Sequence, residues 1–187
     1  MKYPLDKAYR LLSPRLLTVI TTKNSKDGTN TAPVDFCSPA SFNPPIVMVS
    51  LNPQIRTHKN IQETGEFVIN ILSRDYIDQV LRCAAKYPEG VNKLQIVGLK
   101  QYSSELVKPP RIKEAKIWLE CKFLEEKRVG DHFAVFGEVL CAEIRDDAVK
   151  EGELDLANLN PILHLIKDNF AVDYKIIKHK RYEVLST

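Results

Sequence analysis

Ser50, Asn52, Arg56, Thr57 and Lys59 set two hydroxyls, an amide and two cations between an apolar run and a polar, helix-forming stretch. That is an anion site in outline. Helix-start N–H groups and the positive end of the helix dipole favour a phosphate, and Arg56 can grip it with two parallel bonds. Thr57 can donate to the same group, or it can simply cap the helix with Arg56 and Lys59 solvated around it. A second segment, Asp27 to Val34, ends in small and polar residues (Asn30, Thr31, Ala32, Pro33, Val34) where a purely structural strand would carry bulky apolar ones. Its exposed backbone, with the Thr31 hydroxyl, can pair with the edge of a flat heteroaromatic ring, although hairpins also use Thr and Asn without any ligand. A third feature is Gly130-Asp131-His132, which holds an imidazole at the mouth of a strand, where it is either structural or a donor to a carboxamide or phosphate. His58, His164 and His179 have no partners at metal-ligand spacing and read as surface or packing residues; no metal site is expected.

The elements that must position these residues are mostly strands. Leu16 to Thr22 is rich in β-branched residues, Lys23 to Gly28 supplies turn chemistry, and a second extended segment runs through Val34, which together make a hairpin. Pro44 and Pro45 exclude a helix before Ile46 to Leu51, a nearly continuous apolar run that reads as a strand buried on both faces. Arg56 to Thr64 favours a short helix stopped at Gly65, Phe67 to Leu72 returns to strand, and Asp75 to Ala85 reads as an amphipathic helix. In Ile117 to Phe123, apolar Ile117, Leu119, Cys121 and Phe123 alternate with Trp118, Glu120 and Lys122, the pattern of a half-buried strand. Phe133 to Ile144 completes a long hairpin around Gly130-Asp131, which would set Cys121 roughly opposite Cys141. The pattern implies a mainly β fold with peripheral helices: a small antiparallel barrel whose apolar outer face is covered by helices or by a second subunit. After Asp146 the chain turns polar, with a short apolar helix candidate at 161–170. We read residues 1–187 as a single domain in which 146–187 is a C-terminal extension packing on the barrel or on a partner subunit.

Composition excludes several function classes. Apolar residues make up 44% and charged residues 27% of 187, and the net charge is +3 from 27 basic and 24 acidic side chains, so no strong field draws the chain to nucleic acid or to an anionic membrane. Lys178 to Arg181 is a short basic run of the kind a solvated face carries. No apolar stretch approaches the length of a membrane span and the N-terminus carries no apolar signal core, which leads to the expectation of a cytoplasmic protein. Cys37, Cys83, Cys121 and Cys141 form no CxxC pair, so they read as reduced, mostly buried thiols.

Taken in order, Ser13 to Thr22, Gly28 to Val34 and Ser41 to Pro45 resemble the flavin reductase-like FMN-binding split-barrel family. The likeness continues through Arg56 to Ile61, Thr64 to Asn70 and Gly130 to Val139, and covers about residues 13–145. The resemblance implies a split β-barrel, antiparallel and of Greek-key type. It also implies a homodimer with FMN, or alternatively FAD, in a groove near the subunit interface. Cofactor contacts would fall on Asn30, Thr31, Ala32, Pro33, Val34 and Ser38 for the ring, and on Ser50, Leu51, Asn52, Arg56, Thr57 and Lys59 for the phosphate end. His132 would lie near the nicotinamide of NAD(P)H, the electron donor. The implied activity is that of an NAD(P)H-dependent flavin reductase or a flavoredoxin-like protein with a redox partner. The alternatives are an FMN-binding electron carrier without its own NAD(P)H site, and a barrel that has lost flavin and serves as an interaction module. At Asp35 the chain departs from the small hydroxyl residue common in the family and sets a carboxylate near the expected ring edge. The tail beyond Arg145 resembles members that retain their flavin.

Overall fold

A computed structural model describes residues 1–26, 28–88 and 91–177. After a 3-10 turn over Leu5–Leu11 come β1 (Arg15–Leu16), β2 (Thr18–Lys23), β3 (Thr29–Val34), β4 (Cys37–Ser41) and β5 (Ile46–Leu51). Then follow α1 (Arg56–Thr64), β6 (Glu66–Ile71), α2 (Ile77–Arg82), α3 (Lys93–Val97), β7 (Gln101–Tyr102) and β8 (Arg111–Ile112). The long strands β9 (Ile117–Val129) and β10 (His132–Ile144) precede β11 (Val149–Lys150), β12 (Glu153–Leu154), α4 (Leu156–Leu159), β13 (Leu163–His164) and β14 (Phe170–Ala171).

Seven strands form one antiparallel sheet in the order β3-β2-β6-β9-β10-β5-β4. Its two edges, β3 and β4, are separated in the chain by Asp35 and Phe36 alone. A link that short reaches about 10 Å when extended, so the sheet must curl until its edges meet. The result is a barrel with a seam, where the Ser50 N–H donates to the Phe36 carbonyl at 2.8 Å.

Alternation along the strands feeds two cores. Ile20, Val49, Leu51, Ile61, Phe67, Ile69, Cys121 and Val135 fill the barrel interior, while Val19, Leu72, Val80, Leu94, Trp118 and Ile162 pack between its outer face and the helices. Val19 and Ile20 are neighbours in β2, yet each serves a different core. Double burial therefore belongs to β2 and β6. In β5 only Val47, Val49 and Leu51 are buried, and Ile46, Met48 and Ser50 face a half-open surface, which corrects the sequence expectation for that strand. At Gly137 a Cβ would lie 2.5 Å from the Phe67 ring, so the interior has room there for glycine alone.

Four further expectations change. Trp118 and Glu120 are buried: the indole donates to the Ile112 carbonyl at 2.8 Å, and Glu120 has no solvent exposure because Arg111 and the Glu105 and Leu106 N–H groups satisfy its carboxylate. Residues 161–170 form no helix; Leu163 and His164 pair with Leu16 and Arg15 instead, which satisfies the same apolar side chains through sheet contacts. The helix expected over Asp75 to Ala85 is a 3-10 turn followed by only six α-helical residues. A register shift between Val139 and Cys141 puts Cys141 opposite Glu120, not Cys121, and all four cysteines are free thiols. By contrast, α1 spans the expected residues, and Gly65 closes it in the left-handed conformation, φ 72°. Lys178 to Arg181 lie outside the described residues.

Candidate functional site

The seam opens into a cavity of about 290 Å³. Pro33 and Val34 bring the end of β3 to it, Ser50 and Leu51 the end of β5, Asn52 and Ile55 the approach to α1, and His132 the start of β10. Backbone of three sheet strands and one helix start thus converges where the sheet fails to close. No side chain caps α1, whose preceding residue is Ile55, so its positive dipole end stays available beside the cavity. Asn52 instead accepts from the Gln54 N–H at 2.9 Å, which fixes the turn leading into the helix.

The sequence-predicted residues divide into three groups. Pro33, Val34, Ser50, Leu51, Asn52 and His132 line the cavity together. Asn30, Thr31 and Thr57 are buried behind it, with the Asn30 amide donating to the Thr57 hydroxyl at 3.0 Å. The Asn30 Oδ1 and the Thr31 hydroxyl have no hydrogen-bond partner although both are buried. Such orphans carry a free-energy cost and mark a polar spot that the protein alone leaves unsatisfied. Arg56 and Ala32 are half-buried, whereas Lys59 and Ser38 face solvent, the latter bonded to the neighbouring Pro39 carbonyl. The polar cluster of β5 and α1 is therefore not one surface: its helix turns Thr57 inward and Lys59 outward.

Sequence reasoning singled out the Asp35 carboxylate but missed the partners that neutralise it. Asp35, in the link between β3 and β4, receives Arg15 at 2.8 Å and the His164 Nδ1 at 2.6 Å. The His164 Nε2 faces the Lys167 carbonyl at 2.8 Å, so both ring nitrogens meet oxygen acceptors. Burial pushes the Asp35 carboxyl up, but the bonds from His164 and Arg15 outweigh it and hold the group below its usual range. The Arg15 guanidinium also lies 5.4 Å from the centre of the Phe36 ring, which in turn sits 6.1 Å from His132. Asp35 thus faces the cavity as part of a neutralised cluster. No sequence signal pairs it with His164, 129 residues away.

Other reactive groups are tied up structurally. Burial raises the Cys37 and Cys83 thiols to about 11 and pushes Cys121 higher still, which removes them as nucleophiles near neutral pH. His58 pairs with Glu126 at 2.8 Å. Lys93, also missed, donates from within the protein to the Thr31 and Cys83 carbonyls, and burial pulls its ammonium below the usual value. Among the described residues Glu105, Cys141 and Glu143 are close enough to share a cation, but the Arg111 guanidinium already occupies that position, 2.5 Å from Glu143 and 3.3 Å from the Cys141 sulfur.

The flavin reductase-like domain model matches residues 10–168. An uncharacterized protein of Aquifex aeolicus is 36% identical over 147 residues, covering 75% of this chain and 74% of its own. Among solved structures, a flavoredoxin from Methanosarcina acetivorans superposes with a TM-score of 0.85 at 22% identity, covering 96% and 94% of the two chains. A protein of the flavin reductase kind with a split barrel domain, from Shewanella frigidimarina, matches with a TM-score of 0.85 at 20% identity over 96% and 94%. The seamed sheet described above is accordingly a split β-barrel. No helix among the described residues is long and apolar enough to cross a membrane.

Proposed function

The chain belongs to the flavin reductase-like domain family, and from that premise we propose that it is an oxidoreductase-type protein that holds FMN at the seam of its barrel. The observation that carries this reading is the convergence, on one cavity, of the ends of β3 and β5, the uncapped start of α1 and His132. The residues fit the group. The phosphate would meet the first-turn N–H groups of α1 with Arg56, Ser50 and Asn52, a cation and neutral donors suited to a dianion. The ring edge would meet the backbone of Asn30 to Val34, beside the two orphaned polar atoms. FMN in place would supply the hydride and electron chemistry, leaving the protein to position and to set the electrostatics.

The surroundings support that division of labour. Among the described residues no nucleophile is poised, the buried thiols being held protonated. The bonds from Arg15 and His164 compensate the charge of Asp35, so that carboxylate would not repel an electron-rich ring. His132 is part-exposed at the cavity mouth and bonded to Asp131 at 2.8 Å, where it could orient the carboxamide of a nicotinamide. We therefore read the protein as taking hydride from NAD(P)H and passing electrons to a partner or a second flavin, in a homodimer. The free cysteines are in keeping with a reducing, cytoplasmic setting.

Arg56→Ala tests the phosphate end. It should weaken FMN by about tenfold or more, corresponding to about 1.5 to 3 kcal/mol for one charge-assisted contact, and leave riboflavin nearly unchanged. Equal losses for both ligands would remove Arg56 from the site. Anaerobic mixing of the yellow protein with NADH or NADPH should bleach the bound flavin, more slowly in His132→Ala. A flavin that neither nucleotide bleaches would make the protein an electron carrier instead.

A further inference from the structure

A second cavity, of about 790 Å³, lies away from the seam, where α3, β7 and β8 cover the outer face of the barrel. Its volume falls within the range of small-molecule sites, roughly 300 to 1,000 Å³. The floor is apolar and aromatic, with Leu99, Trp118 and Tyr102, the two rings meeting edge to face at 5.9 Å. Lys100, Lys113 and Arg145 stand at the rim, all exposed, and no acidic residue is among those lining the cavity.

The lysines are the telling pair. The Lys113 N–H donates to the Lys100 carbonyl at 2.8 Å, one step beyond the Gln101–Ile112 rung, so the two residues stand across the β7–β8 ladder from each other. Like charges set opposite on a ladder destabilise it unless something neutralises them. Glu114, the nearby acid, directs its carboxylate to the Lys100 backbone N–H, and Arg145 shares Asp147 with Lys116. Neither ammonium has a carboxylate partner among the described residues.

We propose that this cavity is a second ligand site, distinct from the flavin seam, for an aromatic anion of mononucleotide size. The ring lies against Tyr102 and Trp118, and the phosphate lies between Lys100 and Lys113 with Arg145 beside it. Aromatic rings contribute both buried area and stacking, while the cations select for charge.

The chain contains a single tryptophan, so one indole N–H resonance reports on the floor of this cavity alone. Full-length protein saturated with FMN is titrated with AMP and, separately, with adenosine. AMP should shift the indole signal saturably while the flavin absorbance stays constant, and adenosine should bind at least about tenfold more weakly. Lys100→Ala combined with Lys113→Ala, both at exposed positions, should cost AMP about tenfold or more and erase its advantage over adenosine. The site is overturned by an indole signal that AMP does not move, or by equal affinities for AMP and adenosine. An AMP effect seen only as displacement of FMN would assign the nucleotide to the seam and equally defeat the proposal.

Discussion

At the scale of single residues, the sharpest consequence of the structure is the buried pair Arg111–Glu120, 2.6 Å apart with 2% and 0% side-chain exposure. Neutralising Glu120 leaves the buried Arg111 charge with only the part-exposed Glu143 to balance it, a loss approaching the roughly 3 to 5 kcal/mol that breaking a buried pair costs, much more than the pair itself contributes. Glu120→Gln should therefore lower the denaturation midpoint severely. Glu143→Gln, whose carboxylate also meets Arg111 but from a part-exposed position, should cost much less. Urea titration of both variants checks the ordering, and comparable losses would show that Arg111 depends on the two acids alike. This pair also marks a limit of sequence reading. Alternation places Glu120 on the polar side of β9, and it takes the β7–β8 segment, folding over that face, to carry Arg111 onto it. His164 is a parallel case: nothing near it in the chain announces Asp35 as its partner.

At the scale of elements, what was legible was what local chemistry decides. The boundaries of α1 match because Gly65 can take the left-handed cap, and the β9–β10 hairpin turns at Gly130, φ 63°, for the same reason. The cluster proposed to hold the phosphate was legible as a set of residue types but not as a surface, since helical periodicity sends Thr57 inward and Lys59 outward. The segment 161–170 was misread because its apolar residues suit a helix as well as a strand, and pairing with β1 decided the outcome. That pairing is locked to the seam by Asp35, which makes it sensitive to acid. The folded-state carboxyl is held below its ordinary value, so its contribution to stability is fully present above the unfolded pKa of about 4. It is lost as pH falls through the lowered folded value. Wild type should exceed Asp35→Asn in melting temperature at pH 7, with the gap closing towards pH 3. A gap that is the same at both pH values would mean that the carboxylate charge does not hold the link.

At the scale of the whole molecule, one chain leaves its proposed flavin site open to solvent. The seam cavity of about 290 Å³ lies at the low end of small-molecule sites. The neighbouring surface is open as well: Ser38, Pro39 and Ala40 are exposed along the edge strand β4, and Phe42 stands 96% exposed at its end. Val129, Leu124, Leu140 and Ile144 add exposed apolar side chains along the β9–β10 hairpin. Exposed edges and apolar patches of this kind are normally covered, and a second copy of the chain would do so while adding a wall to the groove. If the two events are one, association and flavin binding are linked, and each must strengthen the other by mass action. Light scattering in the presence of FMN should then give twice the 21.3 kDa of the chain. The FMN affinity should fall as the protein is diluted into the range where the dimer dissociates. A species of single-chain mass that binds FMN with an affinity independent of protein concentration would show instead that the seam of one barrel suffices.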